Sequence, residues 1–432
     1  MKISRIAGIA ALLTAGFASA QTPTIKLDGV LLEFWATQMM DNNLRMNATA
    51  APGAGNTSKY YALDSRFQEN TFAVKRSEVY LSGTVTDTIS WNIMFDPNNS
   101  NAAAPGAPNN VLQDFVLTWA FAPGFNVKAG QFKMPTSYEA TLVAAREILF
   151  FERNQINRRF ADARDRGLWF SYTYGDAKAF QGKLNLAISN GTTDDGAGGK
   201  NNENTVAGSG NAQKDFTLRF ESTFLSQHKA GAYYREGVTN LKDSTMSAAA
   251  VPASWTVGAP SATQIKDNKD KTTLEGVYYA FNCPTWQVSA EYATGLLGRR
   301  YPTLFTAAGT APLREHLDQK FTGYVVDGAL KFGNHWITGR YDMLNYNSGD
   351  NWYTAFNPYK NTTAGVATGN DYSPKYTEIT VGYNYVFIPT KQSAGKIKLD
   401  YVMRSKNFLA PRAGQTGEQG GNSLVASLMW SY

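Results

Sequence analysis

Strict alternation of apolar and polar residues restricts the fold of this sequence more than any other feature. In one segment after another, every second residue is apolar and its neighbours are polar or charged. Because a period of two places successive side chains on opposite faces of a β-strand, each segment predicts a strand with one apolar and one polar face. Six clear examples span roughly 89–96, 114–121, 183–189, 216–221, 286–292 and 397–404. The predicted fold class is all-β.

The first twenty residues have the three parts of a secretory signal peptide. Lys2 and Arg5 form a basic start, 6–15 is an apolar run, and 18–20 reads Ala-Ser-Ala, a typical cleavage site. The alternative is a buried core helix. We predict that 1–20 is removed on export and that 21–432 forms a single domain.

The mature sequence has no helix that could span a membrane. After residue 20, no stretch approaches the ~18 consecutive apolar residues that a spanning helix needs. Charged residues make up only 18% of the chain, aromatic residues 13%, and there are 38 glycines. This composition suits a sheet whose outer face contacts lipid. Since a closed barrel is the sheet that leaves no unpaired edge in lipid, a chain of this kind would cross a membrane as a barrel.

Connection lengths distinguish a barrel from a soluble sandwich, which shows the same alternation. Short turns are predicted near 86–87, 122–124, 175–176, 225–228, 282–284 and 333–335. Long polar stretches lie at roughly 39–70, 97–110, 133–166, 190–214, 237–271, 294–318, 345–375 and 405–422. Short turns at one end and long loops at the other are typical of bacterial outer-membrane barrels. Eight long loops, each closing a pair of strands, predict sixteen strands with both termini in the periplasm.

The last residues carry a separate signal. Leu424, Ala426, Leu428, Trp430 and Tyr432 share one face of the final strand, and Tyr432 ends the chain. We predict that Leu428, Trp430 and Tyr432 form the signal read by the outer-membrane insertion machinery; the alternative is an ordinary buried last strand. The predicted location is the bacterial outer membrane, with its lipid as a partner.

The third long stretch, 133–166, is the longest coherent segment without strand alternation. It contains seven basic and five acidic residues, and an apolar patch at 148–151. Because a solvated external loop rarely carries such a patch, we expect the segment to pack against the inner barrel wall. There it would narrow the aqueous lumen that a sixteen-stranded barrel leaves. A short helix is expected over 140–148.

Several motifs resemble one family. Gly-Gln-Phe-Lys-Met-Pro at 130–135, Phe-Phe-Glu-Arg at 150–153 and Arg-Asp-Arg-Gly-Leu at 164–168 are similar to the phosphate-selective porin O and P family, as are 74–84 and the final strand. The resemblance implies a trimeric, sixteen-stranded channel with the third loop folded inward. It also implies basic residues along a path for small anionic solutes such as phosphate. A general porin and, less favoured, a structural or adhesive surface barrel are the alternatives.

Candidate residues for an anion path are basic side chains in or beside the third loop. Arginine suits oxyanions because its planar fork donates two parallel hydrogen bonds. The constriction candidates are Arg153, Arg158 and Arg159, supported by Lys133, Lys128, Arg164, Arg166 and Arg76. The alternative pairs the loop arginines with Glu152 and Asp162 as structural salt bridges. Since Lys75 and Arg76 are adjacent, parity predicts that only one of them faces the lumen.

Other classes of function have little support in the sequence. The single Cys and three scattered His argue against a metal site, and no phosphate-binding nucleotide loop occurs. His228 and His335 are predicted in short turns, away from the strands, and His316 in a long loop. We therefore expect no catalytic residues, no enzymatic activity, no cofactor, no metal and no nucleic-acid partner.

Overall fold

The computed structural model describes residues 23–39, 71–99, 111–161, 164–191, 214–239, 270–301, 304–305, 312–314, 317–345, 348–349, 375–405 and 422–432. The predicted signal peptide 1–20, Asp162 and His316 lie outside the described residues, as does the side chain of Arg159. Among the described residues, no helix has the length and apolar character needed to cross a membrane.

Sixteen strands form one closed antiparallel barrel, in which each strand pairs with its neighbours in the chain and the last pairs with the first. The predicted number of strands is confirmed. The strands are β1 (Lys26–Met39), β2 (Thr71–Thr84), β3 (Ile89–Phe95), β4 (Leu112–Ala122), β5 (Phe125–Lys133), β6 (Arg164–Asp176), β7 (Phe180–Ser189), β8 (Asp215–Phe224), β9 (His228–Thr239), β10 (Asp270–Asn282), β11 (Trp286–Tyr301), β12 (Leu317–Phe332), β13 (His335–Asn345), β14 (Lys375–Val386), β15 (Gly395–Arg404) and β16 (Ser423–Ser431). A separate two-stranded hairpin, Leu304–Phe305 with Pro312–Arg314, lies between β11 and β12.

The polarity of the barrel is the inverse of that of a water-soluble sheet protein. On β15, the apolar residues Ile397 and Leu399 are 45% and 43% exposed, whereas Lys396, Lys398 and Asp400 are fully buried. Apolar side chains therefore cover the outer face, and charged side chains point into the barrel. This arrangement fits a barrel whose outer face is in contact with lipid.

The connections differ in length at the two ends of the barrel. Seven short turns join the strands at one end, and six of them lie at or directly beside the predicted positions; the turn predicted at 175–176 lies at 177–179. Gly124 and Gly333 take positive φ angles (79° and 59°) in two of these turns, where a residue with a side chain would be strained. The seventh turn, 387–394, contains a short 3-10 helix, Gln392–Ala394, and was not predicted. We call this end of the barrel the short-turn end.

A β-bulge in β2 corrects one prediction about the lumen. In the register with β1, Glu33 pairs with Arg76 and Phe34 pairs with Val74, so Lys75 is the extra residue. A bulge breaks the alternation of faces. Lys75 Nζ lies 2.6 Å and Arg76 Nη2 lies 2.7 Å from the carboxylate of Glu152. The prediction that only one of the two basic residues faces the lumen is therefore wrong.

The positions of two histidines correct another prediction. His228 and His335 are the first residues of β9 and β13 rather than turn residues. In register, His228 lies opposite Phe281, and His335 lies opposite Tyr385, on the outer face of the barrel. The short turns are tighter than expected from the sequence, so both histidines belong to the lipid-facing sheet.

The last strand generates a prediction about assembly. Leu428 and Trp430 are 50% and 47% exposed on the outer face, and the Tyr432 backbone N–H donates to the Val30 carbonyl at 3.0 Å. Deleting Tyr432 removes this closing bond and the terminal aromatic ring. We expect most of the protein to accumulate as unassembled precursor, measured by heat-modifiable mobility on gels of membrane fractions. Tyr432→Phe keeps the ring and the backbone, so it is the matched control and should assemble normally; equal yields of the two variants would contradict the prediction.

Candidate functional site

The segment between β5 and β6 contains three short helical turns. A five-residue helix, α1 (Tyr138–Leu142), is followed by the 3-10 turn Ala145–Glu147 and the π-helical turn Asn157–Ala161. The Ser137 hydroxyl caps the start of α1 by accepting from the Ala140 backbone. Arg153 donates to the carbonyl oxygens of Glu139 and Val143 and so satisfies groups that the helix leaves unpaired at its end. The helix is shorter than the predicted 140–148 because the chain becomes extended at Val143.

The start of the segment is held by strands β8 and β11. Arg219 Nη1, on a fully buried side chain of β8, donates to the carbonyl oxygens of Thr136 and Ser137 at 2.6 and 2.7 Å. Glu291 of β11 accepts from the Ser137 hydroxyl at 3.1 Å and from the Tyr138 N–H at 3.3 Å. Both strand residues lie on the polar inner face of the barrel.

The apolar patch 148–151 packs on the opposite part of the wall. Phe150 and Phe151 are fully buried, and Phe151 makes an edge-to-face contact with Trp35 of β1 at 6.1 Å. Residues 149–151 of the patch belong to one buried cluster with Trp35, Ala329, Trp336, Val386, Val402 and Val425. Its backbone is bonded to three inner-face side chains: Asn384 donates to Leu149 O (2.8 Å), Lys398 donates to Phe150 O (2.9 Å), and Asp400 accepts from Phe151 N (2.6 Å).

Glu152 bonds the segment to basic residues of the barrel wall. It pairs with both Arg76 and Lys75 of β2, and its backbone carbonyl accepts from Arg340 of β13 at 2.7 Å. Burial alone would raise the pKa of Glu152, but the positive charges of Arg76 and Lys75 outweigh it and hold the pKa well below its usual value. The carboxylate therefore stays ionised throughout the neutral and mildly acidic range.

Further contacts continue to the end of the segment. Gln155 N donates to Asp342 of β13 at 2.6 Å, and Arg158 pairs with Glu378 of β14 at 2.9 Å. Phe160 stacks on Phe321 of β12 with ring centroids 3.7 Å apart. Together the contacts of 134–161 reach inner-face residues from β1 and β2 through β8 to β15, on widely separated parts of the wall.

Two of the three loop arginines proposed from sequence are bonded inside the protein. Arg153 is 2% exposed and bonded to α1, and Arg158 is paired with Glu378. The predicted alternative partners were Glu152 and Asp162. Glu152 instead pairs with strand residues, and Asp162 lies outside the described residues. Arg158 thus makes a structural salt bridge, with a partner that the sequence did not indicate.

The other candidates lie along β2, β5 and β6. Arg76 is part of the Glu152 cluster, and Lys133 is the last residue of β5. Lys128 is half-buried on the inner face of β5, with Nζ 4.3 Å from the centroid of the Trp169 ring. Arg164 pairs with Asp114 of β4 at 2.8 Å.

Arg166 lies at a less favourable position for an anion path. On β6 it lies two and four positions before the exposed outer-face residues Leu168 and Phe170, and it donates a hydrogen bond to Gln131 at 2.9 Å. Its place in the alternation is therefore that of the outer-face residues.

Two basic residues that sequence reasoning did not select lie beside these candidates. Arg146, in the 3-10 turn, is half-buried with its guanidinium 5.7 Å from the ring centroid of Tyr80 on β2. Among the described residues, none forms an ion pair with Arg146. Lys183 of β7 is 36% exposed and lies 3.4 Å from Glu221 of β8. The parity of Lys183 with Asn185 and Ala187 on the inner face was the signal that could have identified it.

Below the segment, towards the short-turn end, lies a polar cavity of about 180 Å³. Acids and bases both line it: Glu139, Glu147 and Asp327 against Lys229 and Arg340. Arg340 bonds Glu139 at 2.6 Å and lies 3.4 Å from Asp327, so one guanidinium serves two carboxylates. The described residues contain no group of three or more His, Cys, Asp or Glu side chains that could hold a metal ion.

Comparisons with solved structures agree with this architecture. An anion-selective porin from Comamonas acidovorans has a TM-score of 0.51 at 10% sequence identity, covering 95% of this chain and 100% of that chain. A loop-L8 deletion mutant of OmpT, an outer-membrane protein of Vibrio cholerae, has a TM-score of 0.51 at 12% identity, with the same coverage. OmpT of Vibrio cholerae expressed in the outer membrane has a TM-score of 0.50 at 12% identity, covering 96% of this chain and 99% of that chain. At these identities the likeness shows the porin fold.

Comparison with models of protein families identifies the family of the chain, which the fold alone does not. No curated protein matches the chain. The model described as phosphate-selective porin O and P matches residues 54–407, well over half of the chain. The match includes the motifs at 130–135, 150–153 and 164–168. A family of porins and a barrel with a polar interior indicate an outer-membrane channel rather than an enzyme. The chain belongs to the phosphate-selective porin O and P family.

Proposed function

We propose that the protein is a passive diffusion channel for small hydrophilic solutes that prefers anions, including phosphate-like oxyanions. The proposal rests on one difference around 134–161: two acids are buried and ion-paired, whereas three basic side chains remain partly exposed. The acids Glu139 and Glu152 each contact a buried guanidinium. Arg146, Lys128 and Lys183 are partly exposed cations among the described residues, and Lys183 lies 3.4 Å from Glu221.

Magnitudes explain why these few charges would decide selectivity. On an open surface, a charge is screened over ~8 Å at physiological salt. In a narrow aqueous neck with an effective dielectric constant near 20, a unit charge ~4 Å away is worth about 4 kcal/mol. A half-buried cation in the neck therefore attracts a passing anion far more strongly than one on an external loop.

The cavity below the segment favours a second candidate function, a general porin. A solute leaving the neck towards the short-turn end meets Glu147 and Asp327 as well as Lys229. This mixture of charges does not discriminate strongly by sign. A channel whose selectivity were set there would pass small solutes of either charge.

The remaining features of the proposal follow from the family and the sequence. We infer export through the signal peptide 1–20, a homotrimeric assembly, and insertion that uses Leu428, Trp430 and Tyr432. The lipid of the outer membrane surrounds the apolar outer face. The loop arginines Arg153 and Arg158 act in this proposal by holding the segment in position rather than by contacting the solute.

Selectivity can be tested by removing the accessible cations. In the triple variant Arg146→Ala, Lys128→Ala, Lys183→Ala, we expect the anion-to-cation permeability ratio to fall by about tenfold, which corresponds to ~1.4 kcal/mol. The reversal potential in a KCl gradient across a planar bilayer measures this ratio, and phosphate block of chloride current should weaken in parallel.

The control for selectivity is Lys271→Ala, because Lys271 pairs with Glu236 on the exposed outer face. It should leave the reversal potential unchanged. A triple variant that behaves like Lys271→Ala would contradict anion preference and leave the general porin as the better description.

A second experiment tests the anchor of the segment. Glu152→Gln leaves Arg76 and Lys75 buried without their carboxylate, a change that costs about 3–5 kcal/mol where one partner of a buried pair is lost. We expect 149–158 to detach from the wall, so that single-channel conductance rises and the current becomes noisier. Because the folded pKa of Glu152 is depressed, acid should reproduce this effect in the wild type only well below pH ~4.3.

The matched control for the anchor is Glu236→Gln, which removes a carboxylate from an exposed ion pair. We expect wild-type conductance and noise from it. Amide hydrogen exchange of 149–158 should accelerate in Glu152→Gln alone, and slow exchange in that variant would show that the carboxylate is not the anchor.

A further inference from the structure

Two of the three histidines of the chain occupy equivalent positions on the outer face. His228 and His335 each open a strand directly after a short turn. His228 Nδ1 is hydrogen-bonded to the Tyr279 hydroxyl at 2.7 Å, and His335 Nδ1 to the Tyr383 hydroxyl at 2.6 Å. In both cases the tyrosine is on the next strand, two positions before the residue opposite the histidine. The same arrangement therefore occurs twice, at the same end of the barrel.

Both pairs are embedded in a belt of aromatic rings. His228 stacks on Phe224 with ring centroids 4.7 Å apart, and it lies 4.8 Å from Phe281, which in turn contacts Trp286 at 4.5 Å. His335 lies 5.3 Å from Tyr385. In outer-membrane barrels such belts lie at the level of the lipid headgroups. The two imidazoles therefore lie where apolar chains give way to phosphate groups.

The donor and the acceptor in each histidine–tyrosine hydrogen bond depend on the tautomer of the imidazole. A neutral imidazole that accepts the phenolic O–H at Nδ1 carries its own proton at Nε2. Within the described part of the chain, Nε2 of His228 and Nε2 of His335 make no hydrogen bond. An N–H group on an apolar surface is costly unless it finds an acceptor. The strongest acceptors at headgroup depth are phosphate oxygens.

We propose that each histidine–tyrosine pair binds the phosphate of one phospholipid headgroup in the leaflet at the short-turn end. The histidine donates through Nε2, and the tyrosine is a positioning residue that fixes the tautomer and the ring orientation. Exposed apolar residues beside each pair, Trp286 (43%) and Ile337 (53%), contact the acyl chains of the same lipid.

This apolar contact is the reason to assign a lipid rather than free phosphate. At each pair, the described residues offer inorganic phosphate one imidazole N–H donor. A phospholipid adds burial of its chains against the strand. The inference depends on the membrane-spanning part of the proposed function and is independent of the selectivity of the channel.

Native mass spectrometry of the purified barrel, titrated with a phosphatidylglycerol in detergent, tests the proposal. We expect His228→Phe/His335→Phe to retain two fewer phospholipids per chain than the wild type, and each single variant one fewer. Tyr234→Phe is the matched control, because its phenol bonds Glu236 on the outer face towards the long-loop end, and it should retain the wild-type number. Diacylglycerol, which lacks the phosphate, should not distinguish the variants. Equal phospholipid retention by the double variant overturns the proposal.

The histidine nitrogens give a second readout that a purely structural role would not move. With ¹⁵N-labelled histidine, the Nε2 resonances of His228 and His335 should shift on addition of phosphatidylglycerol and not on addition of inorganic phosphate. Tyr279→Phe/Tyr383→Phe keeps the rings but should lose the single tautomer and most of the lipid shift. A shift with inorganic phosphate of equal size would contradict lipid recognition. Unchanged bilayer conductance in these variants separates failure of this proposal from failure of the channel function.

Discussion

One buried network of charges joins the first and last strands of the sheet to the segment 134–161. Glu33 of β1 accepts from Arg76 of β2, from Lys398 of β15 at 2.8 Å, and from Ser427 of β16 at 2.9 Å. The first strand is thereby bonded from the inside to the strands around the closing seam. Arg76 continues to Glu152, so the same guanidinium holds the barrel wall and the inner segment. The strands at the closing seam and the segment 134–161 are therefore bonded through the same charged residues.

A network of this kind makes formal charge a poor guide to function. The segment 133–166 has a surplus of basic residues, and a simple count suggests a strongly cationic constriction. Inside the low-dielectric interior, however, an unpaired charge is expensive, so buried charges acquire partners. Arg158 is bonded to Glu378, and Arg340 to Glu139. Only charges that retain contact with water, such as Lys183, are available to a passing solute.

The sequence predicted the barrel because contact with lipid requires every strand to have an apolar outer face, while its inner face can be polar. Alternation, connection length and the final aromatic strand all follow from that rule, and the sixteen strands agree with them. The partners of the loop charges could not be predicted, since Arg158 and Glu378 are 220 residues apart. The bulge at Lys75 could not be read from a pattern that assumes unbroken alternation, and one extra residue placed both Lys75 and Arg76 beside Glu152. Local sequence patterns specify which residues share a face of a strand. The candidate site, in contrast, arises from pairings between residues that are far apart in the sequence.

The two faces of the barrel obey the same physical constraint in opposite ways. Inside, polar groups are tolerated because other polar groups of the protein and water satisfy them, as the bonds of Glu33 and Glu291 illustrate. Outside, hydrocarbon offers no hydrogen-bond partner, so a polar side chain in contact with it is costly. His228 and His335 lie at the ends of their strands, each with one nitrogen already bonded to tyrosine. A polar group at the lipid boundary needs a partner as much as one in the lumen does, and at headgroup depth the membrane itself supplies it.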